Sequence, residues 1–344
     1  MIETHSPLLG VFLGAGYFAD IQLEAWTEVQ GAKIKAIFSR TRQKAELLAK
    51  KYGLMVFDDF HTMINEIKPD FVDICTPPDS HFHYTKLSVD AGIPVLCQKA
   101  VAPTLKESEE LVEYASSRNI PLMINENWRW QAWYREIKRM IDDGMLGQVF
   151  HVYSAMRPGD GWGAHPYPEQ PYFKDMKKFL IFETGVHYID TLRFLFGEIS
   201  SVYCQTRTIN PVVAGEDLAV IHFNFANQMT GIFDGNRATY MEQVRCPTYG
   251  WMTVEGTEGK LRLEQDGTIH YTPRGGTERK HEYVIPQKGW KGGCTIATQQ
   301  HFIDGLKQGT PFETNGPEYL KSVRVVYACY ESAKHNRVVY IEQM

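Results

Sequence analysis

Three groups of residues have types and spacings that could do chemistry. Gly14-Ala15-Gly16 interrupts the apolar run Leu9-Gly10-Val11-Phe12-Leu13, and Ala19 follows three residues later. In that order Gly14 permits a tight turn, Gly16 admits an anionic group where a Cβ would stand, and Ala19 lets a helix pack closely on a strand. Tyr17 and Phe18 open that helix, whose N-terminal N–H groups and partial positive charge would face phosphate, so a dinucleotide is the expected ligand. Lys99 stands just past the apolar strand Pro94-Val95-Leu96-Cys97, where burying a charge is costly unless it is used. Glu183 and His187 are four residues apart, which on a helix brings their Cβ atoms to roughly 5–6 Å on one face. Gly185 between them leaves room for a ring to approach. Taken singly, each has a plain alternative: a surface turn, a solvated lysine, a packed histidine.

The elements that must position these groups follow a regular alternation. Helix Ala19 to Val29 leads to strand Lys33 to Phe38, which ends in Ser39-Arg40-Thr41-Arg42. An Asp or Glu at that point would hold the two ribose hydroxyls of NAD, whereas the hydroxyl of Ser39 and the guanidinium of Arg40 suit a 2′-phosphate; NAD and NADP both stay open. Strand Phe71 to Cys75 is stopped by Thr76-Pro77-Pro78, which places Thr76 and Pro77 at the carboxyl edge of the sheet, where ligands bind in such folds. Helix His81 to Ala91, the Lys99 strand and a last strand Ile120 to Ile124 complete the pattern. Strands alternating with helices predict an α/β, doubly wound parallel sheet over residues 1–124.

Gly14-Ala15-Gly16, Thr76-Pro77-Pro78 with His81, Gln98-Lys99-Ala100 and Glu183-Thr184-Gly185-Val186-His187 together resemble the glucose-fructose oxidoreductase and inositol dehydrogenase (Gfo/Idh/MocA) family, in order along nearly the whole chain. The resemblance implies a two-domain NAD(P)-dependent oxidoreductase acting on sugars, polyols or their derivatives. The family's usual E-K-P appears here as Gln98-Lys99-Ala100, and its D-x-G-x-H as Glu183 to His187. It also implies that Asn127, Trp128 and Arg129 border nicotinamide and substrate, and that Gln98 and Lys99 contact the cofactor.

Residues 125–344 are expected to form a substrate-binding and oligomerisation domain. Dense aromatics over Asn125 to Tyr134 are followed by a helix to Asp143 and a strand over Gln148 to Met156. A Gly- and Pro-rich loop, Arg157 to Pro171, carries Trp162, whose flat ring suits the C–H face of a sugar, and such a loop can cover a site. A single helix is expected over Phe179 to Phe196. From Ser201 onward, five alternating segments predict a large, mostly antiparallel sheet with helices on one face, its other face covered by another subunit in a homodimer or homotetramer.

Oxidising an alcohol requires a proton to leave oxygen while a hydride leaves carbon for nicotinamide. An imidazole with an ordinary pKa near 6.5 suits the proton, which assigns His187 as base, Lys99 as stabiliser of the oxygen, and Glu183 as partner of His187 or of a substrate hydroxyl. The alternatives are a non-enzymatic dinucleotide-binding regulator, a glycosidase that cycles hydride within one turnover, and a reductase of a non-sugar carbonyl. The chain has 344 residues, 43% hydrophobic and 22% charged, with net charge -5. That charge gives no basic footprint for nucleic acid or an anionic membrane, no stretch approaches the roughly 20 apolar residues of a membrane span, and a small-molecule partner is expected. Six scattered cysteines without a C-x-x-C pair point to a reducing, cytoplasmic setting and no structural metal.

Overall fold

Short apolar runs alternate with amphipathic stretches through the first third of the chain, and each run becomes a strand. The computed structural model describes residues 6–239 and 246–344. In chain order the first elements are β1 (Leu8–Leu13), α1 (Tyr17–Trp26), β2 (Ala32–Phe38), α2 (Arg42–Tyr52), β3 (Met55–Phe57), α3 (Phe60–Ile67), β4 (Phe71–Ile74), α4 (His81–Asp90), β5 (Val95–Gln98), α5 (Leu105–Ser116) and β6 (Leu122–Asn125). These six strands are parallel, in the order β3-β2-β1-β4-β5-β6. Every residue of β4, β5 and β6 is buried, as expected for strands covered on both faces. Because β1 lies between β2 and β4, the strand order reverses there, and the carboxyl ends of β1 and β4 open the crevice that ligands use in this architecture.

The rest comprises α6 (Ala132–Asp142), β7 (Val149–Met156), α7 (Val186–Phe196), β8 (Ile199–Arg207), β9 (Leu218–Phe225), β10 (Thr230–Asn236), β11 (Gly250–Gly256), β12 (Gly259–Leu263), β13 (Ile269–Pro273), β14 (Arg279–His281), α8 (Cys294–Gln308), α9 (Gly316–His335) and β15 (Val339–Tyr340). Nine strands form the second sheet, in the order β14-β13-β12-β11-β7-β10-β9-β8-β15. All its pairings are antiparallel except β7 with β10. The edge strands β14 and β15 escape the sequence pattern, because a two- or three-residue strand has too few positions to show alternation; β13, five residues long between β12 and β14, is also absent from the expected strands.

The chain divides into two compact units, one running to Asn127 and rejoined by Lys288–Lys321, the other made of Trp128–Gln287 and Ser322–Met344. The returning segment is built into the first unit: Phe302 and Ile303 of α8 pack with Phe12, Trp26 and Phe71, and Thr314 exchanges hydrogen bonds with the backbone of Ile124.

The single helix expected over Phe179 to Phe196 is two pieces. Leu180–Gly185 is a π-helical turn, and α7 begins at Val186. Buried Glu216 explains the start, since its carboxylate accepts from the Phe179 and Ile181 N–H groups that a regular first turn would leave without partners. The wider π turn changes the angular offset between Glu183 and His187 from that of an ideal α-helix.

Candidate active site

At the end of β1 the glycines differ in what they exclude. Gly14 has φ +120°, and a Cβ built there would lie 2.1 Å from the Cys75 carbonyl oxygen, so the chain itself requires glycine. Gly16 has no chain atom within 4 Å of an added Cβ, so the space a side chain would fill lies outside the protein's own packing. Gly16 is also the N-cap of α1 and provides no side-chain cap, and the positive end of the helix dipole favours an anion there. These features fit a dinucleotide pyrophosphate. Tyr17 is 46% exposed, while Phe18 sets its ring edge-on to Trp290 at 5.4 Å. At the end of β2, Ser39 Oγ accepts from Thr41 N and Arg40 is exposed, whereas Arg42 is bound by Glu46 and Asp58.

Two loops at the carboxyl edge of this sheet are joined by His81. Its Nε2 lies 2.7 Å from the Thr76 carbonyl oxygen and its Nδ1 2.9 Å from that of Ala100, with the ring wholly buried. Burial pushes its pKa down, while the carbonyls of Thr76, Ala100 and Val101 pull it back up. His81 therefore ties Thr76-Pro77 to the segment carrying Lys99 from within the protein rather than from a ligand-facing surface. Lys99 is half-buried, and its N–H donates to Gln98 Oε1 at 2.8 Å. The Lys99–Ala100 peptide is cis. Beyond β6, buried Asn127 has an amide oxygen without a hydrogen-bond partner among the described residues, an acceptor that a ligand amide would satisfy.

In the second unit, His187 enters from the first turn of α7 and stacks on Trp128, with centroids 4.7 Å apart and planes 5° apart. Trp128 is fixed in turn by edge contacts with Tyr188 and Tyr249. Arg129 makes a bidentate pair with buried Asp190 at 2.8 Å per contact, and Ser322 Oγ donates to the same carboxylate. That pair locks the Trp128 segment to α7, one turn beyond His187.

Glu183 belongs to a cluster that the sequence did not disclose. Thr184 Oγ1 donates to Glu183 Oε2 at 2.5 Å, Arg237 donates to Thr184 Oγ1 at 3.0 Å, and Arg237 lies 3.9 Å from Glu183. The same buried guanidinium binds Asp160 and sits over Tyr167, Phe173 and Phe179. Asn210 clamps the carbonyls of Gly161 and Gly163 at 2.8 and 2.9 Å, and Gly161 N bonds the Arg237 carbonyl. The loop from Arg157 to Pro171 is thus anchored along its length, with Tyr167 buried and Trp162 56% exposed. A lone arginine after an apolar strand gave no spacing signal for Arg237. Two other omissions were visible: Gln22 interrupts the buried stripe Ala19, Leu23, Trp26 of α1, and Asp73 sits inside the apolar strand β4.

Residues 9–126 match the GFO/IDH/MocA oxidoreductase family, NAD-binding Rossmann fold, and residues 134–262 match the GFO/IDH/MocA C-terminal domain. The chain is 31% identical to a D-apiose dehydrogenase of Rhizobium rhizogenes over 98% of its own length and 99% of that protein's. It is 29% identical to a D-apiose dehydrogenase of Paraburkholderia graminis, over 97% and 90% of the two chains. Among solved structures it resembles an oxidoreductase from Agrobacterium radiobacter in complex with NAD+, L-tartaric acid and magnesium, with TM-score 0.92 and 30% identity over 98% and 100% of the two chains. With a parallel Rossmann sheet, a glycine turn shaped for pyrophosphate, and matches across both domains, the chain belongs to the GFO/IDH/MocA family of NAD(P)-dependent oxidoreductases.

Proposed function

We propose that this dehydrogenase oxidises a small aldose of the D-apiose class at its anomeric CH–OH, giving the lactone. The observation that carries the substrate class is end-to-end likeness to two D-apiose dehydrogenases. Bound NAD(P)+ supplies the hydride acceptor. His187, held flat against Trp128, takes the hydroxyl proton; Lys99 hydrogen-bonds the same oxygen and stabilises its developing charge; Glu183, held by Thr184 and Arg237, receives a neighbouring sugar hydroxyl. Exposed Trp162 offers a ring face to the sugar.

NAD is the proposed physiological cofactor, with Gly14, Gly16, Tyr17, Phe18, Thr76, Pro77 and Asn127 around it. This choice is supported by a neighbour of 30% identity that holds NAD+ and by the engagement of Arg42 with Glu46 and Asp58, which leaves Arg40 as the guanidinium for a 2′-phosphate. The protein acts in the cytoplasm as a homo-oligomer through the outward side of the nine-stranded sheet, where Tyr153, Val220, Ile232 and Trp251 are half-buried. No described helix is long and apolar enough to cross a membrane.

The test is the near-ultraviolet absorbance of reduced nicotinamide, with purified protein given NAD+ or NADP+ and a panel of branched and linear aldoses, inositols and sugar acids. Fastest turnover with D-apiose and NAD+ is expected; faster turnover with an inositol or sugar acid would replace the substrate class. Light scattering of the same preparation reads the oligomeric state, and a monomer would remove that part of the proposal.

A further inference from the structure

The residue before Lys99 ends a buried chain of hydrogen bonds running through the first unit. Lys99 N donates to Gln98 Oε1 at 2.8 Å, and Gln98 Nε2 donates to Gln22 Oε1 at 3.1 Å. Gln22 Nε2 lies 2.7 and 2.8 Å from the two oxygens of Asp73, and Trp26 Nε1 donates to the same carboxylate at 2.6 Å. Gln22 and Asp73 are wholly buried and Gln98 is 8% exposed, so solvent does not substitute for a missing partner.

The orientation of each amide follows from the chemistry of its neighbours. Asp73, already an acceptor for Trp26, takes the NH2 of Gln22; that turns the Gln22 carbonyl toward position 98, which must then donate. A glutamate there, usual in the family this chain belongs to, has nothing to donate. We propose that Asp73, Gln22 and Gln98 are positioning residues for Lys99, and that glutamine replaces glutamate at position 98 because the chain's carboxylate is supplied from β4 instead. The proposal rests on the role given to Lys99 above.

The donor and acceptor count predicts a reciprocal rescue. Asp73→Asn alone flips Gln22, which flips Gln98, which turns an NH2 onto the Lys99 N–H. Gln98→Glu alone sets a carboxylate against the Gln22 carbonyl. Together they satisfy every group: the amide introduced at position 73 donates to Gln22 Oε1, Gln22 donates to the carboxylate introduced at position 98, and that carboxylate accepts from Lys99 N. Each single variant is expected to lower kcat by about tenfold or more with little change in sugar KM, and the double variant to return within about threefold of wild type. Losses that simply multiply in the double variant overturn the chain. If the single variants do not fold, Gln98→Met breaks the link without adding charge; a fall in kcat at unchanged sugar KM supports the proposal and wild-type kcat overturns it. Lys99→Met is the control on the underlying role. Wild-type turnover in that variant removes the positioning role, while recovery of the melting temperature in the double variant would still report coupling between positions 73 and 98.

Discussion

The imidazole of His187 lies parallel to the indole of Trp128, centroids 4.7 Å apart and planes inclined by 5°. Stacking of this kind fixes a ring's plane. Trp128→Leu removes the flat wall and should lower kcat about tenfold, equivalent to ~1.4 kcal/mol in the barrier, with Trp128→Phe intermediate. Steady-state kinetics with the identified sugar checks it, and unchanged kcat in the leucine variant would reduce the stack to packing.

The two glycines of the turn should separate folding from ligand binding. Gly14→Ala places a Cβ 2.1 Å from a carbonyl oxygen and should lower the melting temperature as well as cofactor affinity. Gly16→Ala meets no chain atom within 4 Å, so its melting temperature should match wild type while NAD(P) affinity falls by about tenfold or more. Thermal unfolding and fluorescence titration with cofactor, run on both variants, give the comparison.

Arg237 is buried among three aromatic rings and binds Asp160, which is 35% exposed. Losing one partner of a fully buried pair typically costs about 3–5 kcal/mol, and the partial exposure of Asp160 reduces that to about 2–3 kcal/mol for Arg237→Met. Urea unfolding measures this loss. The sugar KM should rise in the same variant, because Thr184, Glu183 and the Trp162 loop lose their common anchor.

Burial pushes the Asp73 carboxyl up to about 7, with Trp26 and Gln22 pulling the other way. A carboxyl raised in the folded state binds its proton more tightly there than in the unfolded chain. Its contribution to stability is therefore full below the ordinary value of 3.8 and is lost as pH rises through about 7. Melting temperatures of wild type should fall more steeply than those of Asp73→Asn between those two values. Parallel slopes would show that Asp73 ionises normally.

Lys99→Met should keep cofactor affinity and lose about a hundredfold or more in kcat. His187→Asn should flatten the acid limb of the pH–rate profile; persistence of that limb would assign the base elsewhere.

The sequence by itself determined the parallel sheet and the glycine turn, because both are written in local pattern; Lys99, Glu183 and His187 stood out through the resemblance to a family rather than through their own spacing. A strand that must be buried on both faces is a continuous apolar run, and a turn that must reach positive φ needs glycine, as at Gly14. The tertiary structure alone decided what holds those groups. Arg237 reaches Thr184 across 53 residues, Arg129 reaches Asp190 across 61, and Gln22 reaches Gln98 across 76. Such partners are chosen by where strands and helices stack, and no short-range spacing encodes them. The π turn at Leu180–Gly185 has the same origin: its start is set by Glu216, a residue from a distant loop that satisfies donors the local sequence leaves open.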